Sequence, residues 1–470
     1  MRPAPPEAGP AIAEALLRDS GVAGPRYTSY PTADRFVESF GALQYAQALQ
    51  SRAEGAGRSA GAAPLSLYVH IPFCESVCYY CACNKVVTRQ HGRSQEYLAA
   101  LQREIALHVI ELGPKQQVSQ VHLGGGTPTF LSDDELTGLM GVLKDAFALT
   151  PEAEVAIEVD PRTVDRQRLL HLATLGFNRL SFGVQDFDPD VQRAVHRVQP
   201  LGQVRALLAA AREIGFRSTN VDLIYGLPLQ TPASFQRTIE QVCELRPDRI
   251  ALYAYAHLPQ RFKPQRRIVT EQLPPAEQRI SMLSAALSQF AGAGYTYVGM
   301  DHFALADDSL AIAKRQGKLH RNFQGYSTQP DCDLIGLGVS AIGKVGATYS
   351  QNAKTLDEYY EALKQGRFPV QRGLALTQDD LVRRSVIMAL MCQGRVDFAA
   401  VELAHPIRMR DYFASELAAL APLQASGLVV HEPGAVVVTP LGWYFVRRIA
   451  MVFDRYLRTE RTHPQFSRLI

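Results

Sequence analysis

From residue 65 onward, short continuous apolar runs alternate with longer stretches whose apolar residues recur every three or four positions. Leu65 to Phe73 reads as a buried strand, and Ser94 to Leu112 as a helix with Tyr97, Leu101, Ile105 and Val109 on one face. Val118 to Leu123 is the next strand. The helix after it opens with Ser132 and Glu135, a capping-box pair, and carries the stripe Leu136, Leu139, Met140, Leu143 and Phe147. Further strands are expected near 154–159, 179–184, 219–225 and 249–255, with helices between them; one helix starts at Thr231–Pro232 and another stops at Gly215. Six strand–helix units between 65 and about 300 predict the α/β class, with a parallel sheet and right-handed crossovers. Six units fall two short of a closed eight-fold barrel, so the expected core is a partial, open (β/α)6 barrel.

The flanks follow other patterns. Residues 1–64 read as an N-terminal arm and linker, the stretch 51–64 being a Gly/Ala/Ser loop. The barrel is expected over 65–305, a connecting segment that closes the active site over 306–352, and a mostly helical C-terminal domain over 353–470. Gly427 to Thr439 reads as a hairpin, so this last domain resembles a small winged helix. Winged helices often read DNA, but this one shows no dense basic patch, which favours a structural or substrate-covering lid.

Composition narrows the function. Net charge is +3 over 470 residues, which leaves no nucleic-acid footprint. No apolar run approaches a membrane span, and Met1 to Pro10 has no apolar core of a secretory signal. Seven cysteines without a paired framework point to a reducing, cytoplasmic compartment.

Four of those cysteines lie between Cys74 and Cys83, spaced Cys-x3-Cys-x2-Cys and then Cys-x-Cys. Thiolates of Cys74, Cys78 and Cys81 on one tight loop suit three irons of a [4Fe-4S] cluster, leaving the fourth iron open to a small chelating molecule. Structural zinc is the competing reading, but it favours two separated Cys-x2-Cys pairs; Cys243, Cys332 and Cys392 are isolated and read as core thiols. Cys83 is too close to Cys81 to serve easily as a fourth ligand. The other distinctive residues fall where strands end: Gly124–Gly126, Glu158, Gln185, Asp222 and Ala256–His257. In such folds that edge of the sheet carries the chemistry.

The cysteine loop resembles the signature of the radical S-adenosylmethionine superfamily. Within it, the chain is similar to the oxygen-independent coproporphyrinogen III oxidases. The motifs that carry this are PRYTSYPTA, YVHIPFC, CACNK, HLGGGTPT, AIEVDPR, GVQDF, NVDLIYGLP, YAHLP, GMDHFA, HRNFQGY and the terminal QFSRLI. The resemblance implies two S-adenosylmethionine molecules. The first would be held by Gly125, Gly126 and Thr127, whose free N–H groups suit its carboxylate or ribose, with Tyr68, Glu158 and Ile342 around it. Matching positions for the second are Gln185, Arg197, Asp222 and Ala256, with Tyr80 near the adenine. Tyr80 stands where the family often has Phe. The implied reaction removes a β-hydrogen from a propionate with a 5′-deoxyadenosyl radical; loss of carbon dioxide and one electron leaves a vinyl group. Two rounds give protoporphyrinogen IX.

The resemblance also implies a monomer served by an electron donor such as a flavodoxin or ferredoxin. The substrate carries four carboxylates, for which Arg26, Lys85, Arg89 and Arg321 are candidate partners, each with a plain solvated or structural reading beside it. Cys83 is read either as a participant in the substrate reaction or as a small space-filling side chain. Two relatives compete: a haem chaperone, which typically lacks the CxC extension and the PRYTSYPT arm present here, and a haem-modifying radical enzyme.

Overall fold

The computed structural model describes residues 24–58 and 63–459. The QFSRLI motif and the first 23 residues of the arm lie outside the described residues. The expected alternation is present. Strands β1 (Leu65–Ile71), β2 (Gln116–Gly125), β3 (Phe147–Val159), β4 (Arg179–Gln185), β5 (Ser218–Tyr225) and β6 (Arg249–Ala254) pair in parallel, each with the next. Helices run between them, and the local signals explain their ends. Ser132 accepts from the Glu135 N–H while Glu135 caps back, Thr231 caps with Pro232 following, and Gly215 stops its helix in the left-handed region.

The sheet does not close on itself. Its order continues past β6 to the antiparallel pair β7 (Tyr295–Gly299) and β8 (His302–Leu305). Beyond β1 it continues through four later strands. The 306–352 stretch, read from sequence as a connection, supplies a hairpin, β9 (His320–Asn322) and β10 (Gly325–Ser327), and then strands of the main sheet. These are β11 (Leu334–Leu337), parallel to β1, followed by β12 (Ile342–Val345) and β13 (Thr348–Asn352). The edge strand β14 (Val370–Ala375) completes the twelve. Short apolar runs such as LIGL are equally compatible with a buried loop, so only their docking on β1 makes them strands.

The expected loop over 51–64 begins as helix. Ala42–Arg58 is continuous, and Arg52 on it binds Asp333 at 2.8 Å and Gln116 at 3.2 Å, contacts that outweigh the weak helix propensity of its two glycines, Gly55 and Gly57. The arm ahead of it is packed down. Tyr27 and Tyr30 are fully buried, Tyr27 donates to Asp454 at 3.0 Å, and Val37 bridges Gly373 on β14. The hairpin expected over 427–439 is Val429–Glu432 paired with Ala435–Val438, joined by a third strand at Arg395–Asp397. No described helix is long and apolar enough to cross a membrane.

Candidate active site

Pro72 ends the regular pairing of β1, and the chain then forms the cysteine loop. The loop is closed at its base, because Phe73 and Cys74 pair in parallel with Val86 and Val87. The Val86 N–H donates to the Pro72 carbonyl at 2.8 Å, and Thr88 N–H to that of Cys74 at 2.9 Å. The sulfurs are met by donors. Thr127 lies 3.4 Å from the Cys74 sulfur, and Cys78 is approached by Arg197 Nη1 at 3.5 Å and Arg162 Nη2 at 3.9 Å. Burial pushes the Cys74 thiol up to about 11, against the pull of Thr127. The hydrogen bond from Cys83, outweighing burial and aided by Lys85, brings Cys81 down to about 6. Three thiols on one closed loop, among two guanidiniums and an ammonium, fit an anionic iron–sulfur cluster.

Arg197 is only 7% exposed. It binds Asp160 at 3.2 Å and the Gly183 carbonyl at 2.6 Å. Asp160 also takes Arg162 at 2.6 Å. Burial works against the charge on Arg197, but Tyr80, Asp160 and Cys78 hold its affinity for the proton well above the ordinary range. Asp160 and Arg162 belong to the AIEVDPR motif, in which the sequence reading singled out only Glu158; the acid and base two residues apart were the available signal.

The glycine turn after β2 packs against this loop. Gly125 has φ +115°, and a Cβ there would lie 2.6 Å from the His70 ring. A Cβ on Gly126 would lie 2.6 Å from the Pro72 carbonyl oxygen. The expectation that this turn offers free N–H groups is not met. Gly125 N–H donates to Glu158 at 3.1 Å, Gly126 N–H to Ile71 O and Thr127 N–H to Phe73 O, each at 2.8 Å. The Ile71–Phe73 run consumes the Gly126 and Thr127 donors, and the Glu158 carboxylate that of Gly125.

A cavity of about 510 Å³ fills the barrel lumen and gathers Tyr68, Cys83, Gly125, Glu158, Asp222 and Ile342 along its wall. Tyr68 bonds His70 at 3.1 Å and stacks on His122. Burial raises the Glu158 carboxyl, but His122 at 3.2 Å, the Gly125 N–H and His70 outweigh it and hold the group below its usual value. Asp222 is pushed up to about 6 by burial and by Glu158. It sits inside β5, three residues before the strand ends, and not at the strand end as the sequence suggested; alternation turns Asn220 and Asp222 into the lumen together. Cys83 is exposed, and its exposed surface faces this cavity.

The remaining expected residues form a second group. Gln185 takes a left-handed φ of 70° beside a register shift in β4, and its amide and the Arg197 guanidinium both crowd Gly183. Tyr80 and Ala256 are joined by Gln265, whose amide donates to both carbonyls, at 2.9 and 3.1 Å. Gln265 lies in a short 3-10 turn and carried no sequence signal. Cys392 is buried, whereas Cys243 and Cys332 are only half-buried.

Comparison with known proteins agrees with this arrangement. The radical SAM superfamily profile matches residues 68–242, and the HemN C-terminal domain profile matches residues 376–445. The chain is 49% identical over 456 residues to the oxygen-independent coproporphyrinogen III oxidase of Escherichia coli, covering 97% of this chain and 98% of that protein. The Pseudomonas aeruginosa enzyme of the same name is 48% identical with the same coverage. The solved structure of coproporphyrinogen III oxidase (HemN) from Escherichia coli, described as a radical SAM enzyme, superposes with a TM-score of 0.88 over 94% of this chain and 99% of that one. A cysteine loop closed over a polar barrel lumen, matched along nearly the whole chain, makes this protein a radical SAM enzyme that belongs to the oxygen-independent coproporphyrinogen III oxidase family.

Proposed function

We propose that the chain converts two propionate side chains of coproporphyrinogen III to vinyl groups without oxygen, giving protoporphyrinogen IX. The observation that carries this reading is the meeting of the cysteine loop with a lumen lined by Cys83, Glu158 and Asp222, in a chain 49% identical to curated oxidases along nearly all its length. When bound, the [4Fe-4S] cluster and S-adenosylmethionine supply the radical that removes hydrogen from the propionate.

The protein's own groups hold and orient. Cys74, Cys78 and Cys81 are the cluster ligands, with Arg197 and Arg162 offsetting the charge at Cys78. With its N–H groups occupied, the Gly124–Gly126 turn has only carbonyl oxygens to offer, which suit an ammonium group and not a carboxylate. Glu158, kept ionised, adds a negative charge beside it. Tyr68, Thr127 and Ile342 complete the first cofactor site. Gln185, Arg197, Asp222, Ala256 and Tyr80 form the second. In the arm over 1–64 and the domain over 353–470 it is the described residues that, with the 306–352 segment, shut water out of the barrel 65–305. The protein works in the cytoplasm as a monomer and receives electrons from a small donor protein of the flavodoxin or ferredoxin kind.

Anaerobic reconstitution with iron and sulfide, followed by incubation with coproporphyrinogen III, S-adenosylmethionine and a reductant, tests the reading. Protoporphyrinogen IX and 5′-deoxyadenosine are expected. Cofactor cleavage with no vinyl product would overturn the substrate assignment. Cys74→Ser, Cys78→Ser and Cys81→Ser should each purify without the iron-dependent charge-transfer absorption.

A further inference from the structure

Arg321 lies on β9 directly across the hairpin from Tyr326 on β10, with its guanidinium 4.6 Å over the Tyr326 ring. It is 5% exposed. Its Nε donates to the Arg26 carbonyl at 3.3 Å, and its Nη1 is buried with no hydrogen-bond partner among the described residues. Every other buried arginine described above meets a carboxylate, as Arg197 does with Asp160. A buried guanidinium without an anion is strongly unfavourable, so such a group is retained where a ligand supplies the missing charge. Arg26 adjoins it, paired with Asp301 and lying 5.5 Å over the Tyr253 ring. Of the two cations, only Arg26 meets a carboxylate among the described residues.

The two guanidiniums lie behind one wall of the lumen, over the Tyr253 and Tyr326 rings, and Arg321 lines a small adjoining pocket that shares Asn322 and Phe323 with the lumen. Tyr253, His302, Gln324 and Tyr326 all line the cavity. His302 stands edge-on to both tyrosines, and its Nδ1 is buried without a partner, as are both polar atoms of the Gln324 side chain. Burial, then Arg321, Arg26 and Arg249, lower the His302 imidazole to about 3, which marks this wall as electropositive. Tyr253 on β6 and His302 on β8 are five and six places from β1 in the sheet order. The cysteine loop leaves β1, so this wall and the loop belong to different parts of the sheet.

We infer that Arg321, with Arg26 beside it, receives a propionate carboxylate of the porphyrinogen and thereby sets which way the macrocycle lies in the lumen. The inference rests on the substrate proposed above. A planar guanidinium presents two parallel N–H donors to a carboxylate, an arrangement a lysine ammonium cannot reproduce.

The full-length reconstituted enzyme tests it with Arg321→Met and Arg321→Lys. Two probes are used: turnover of coproporphyrinogen III, and fluorescence titration with oxidised coproporphyrin III as the free tetra-acid or its tetramethyl ester. Arg321→Met should raise the KM for coproporphyrinogen III and weaken tetra-acid binding by about tenfold or more. Iron content and S-adenosylmethionine affinity should stay at wild-type values, and ester binding should not change. Arg321→Lys should recover part of the loss. The ligand-free Met variant should melt no lower than wild type, because it removes an unpaired buried charge. Unchanged tetra-acid binding, an equal loss of S-adenosylmethionine affinity, or a lower melting temperature without ligand would each overturn the inference. Absence of vinyl product in the wild type would count against the proposed reaction alone, since the titrations read Arg321 without turnover.

Discussion

Arg197 donates from one nitrogen to the Cys78 sulfur at 3.5 Å and to the Asp160 carboxylate at 3.2 Å, so a single buried cation joins the cysteine loop to the segment leaving β3. The charge near a cluster sulfur helps set how readily the cluster accepts an electron. Arg197→Met should therefore shift the cluster midpoint potential to more negative values while iron remains bound, as followed by an EPR-monitored redox titration. It also strips Asp160 of one of its two cations, and a loss of about 1–3 kcal/mol in stability is expected. An unchanged potential would leave Arg197 with a purely structural part.

Asp222 and Glu158 share the lumen wall, and burial raises both carboxyls, but His122 and the Gly125 N–H bring Glu158 below its usual value while Asp222 stays raised. Among the described residues Asp222 bonds Asn220 at 2.8 Å and Ser181 at 3.2 Å, both neutral. Asp222→Asn should keep the cluster and lower the number of S-adenosylmethionine molecules bound at saturation from two to one. Equilibrium dialysis of the reconstituted protein decides it, and two molecules bound at wild-type affinity would exclude Asp222 from the second site.

Glu104 is 1% exposed and takes hydrogen bonds from Tyr359 at 2.6 Å and from Gly338 N–H and Asn352 at 2.7 Å. It thereby pins the turn that leads to Ser340 and Ile342 on the cavity wall. Burial raises its carboxyl to about 7 despite these donors. In the unfolded chain it titrates near 4.5. Between these values the folded state holds a proton that the unfolded state has lost, so stability from this group is present below the unfolded value and falls as pH rises towards 7. The full change is on the order of 3 kcal/mol. Glu104→Gln removes that slope, so the wild-type and variant unfolding midpoints should converge, or cross in the variant's favour, between pH 5 and 8. Denaturant titrations at several pH values measure it; parallel curves would refute the assignment.

Cys83 has its exposed surface turned into the lumen, next to Asn84 and His70. A side chain serving only to fill space is expected to be buried among apolar neighbours, as Cys392 is. Cys83→Ser should hold its cluster and cleave S-adenosylmethionine but lose vinyl product. Product yield within a small factor of wild type would return Cys83 to a passive role, and collapse of the iron content would make it a support of the loop.

Much of the barrel was legible because it is written in local chemistry. Six apolar runs, the Ser132 and Thr231 caps and the Gly215 stop each act within a few residues and appear where the pattern put them, except that Phe147, read as the end of a helical stripe, opens β3. The cysteine triplet was legible for the same reason, since three ligands on eight residues need no distant partner to be recognised. Where the reading failed, a distant contact had intervened. The helix through Arg58 persists because Arg52 reaches Asp333, and the glycine N–H groups are occupied because the turn lies alongside Ile71–Phe73.

The sequence by itself determined the α/β alternation, the cysteine loop and the glycine turn that follows the second strand, because periodicity, capping and ligand spacing are properties of neighbouring residues. Only the tertiary structure decided that Asp160 and Arg162 join Arg197 at Cys78, that Gln265 ties Tyr80 to Ala256, and that Arg321 is buried without an anion. Those facts depend on which groups are desolvated together. Desolvation is set by segments far apart in sequence, 295 residues for Arg26 and Arg321 and 427 for Tyr27 and Asp454, and no local pattern encodes it.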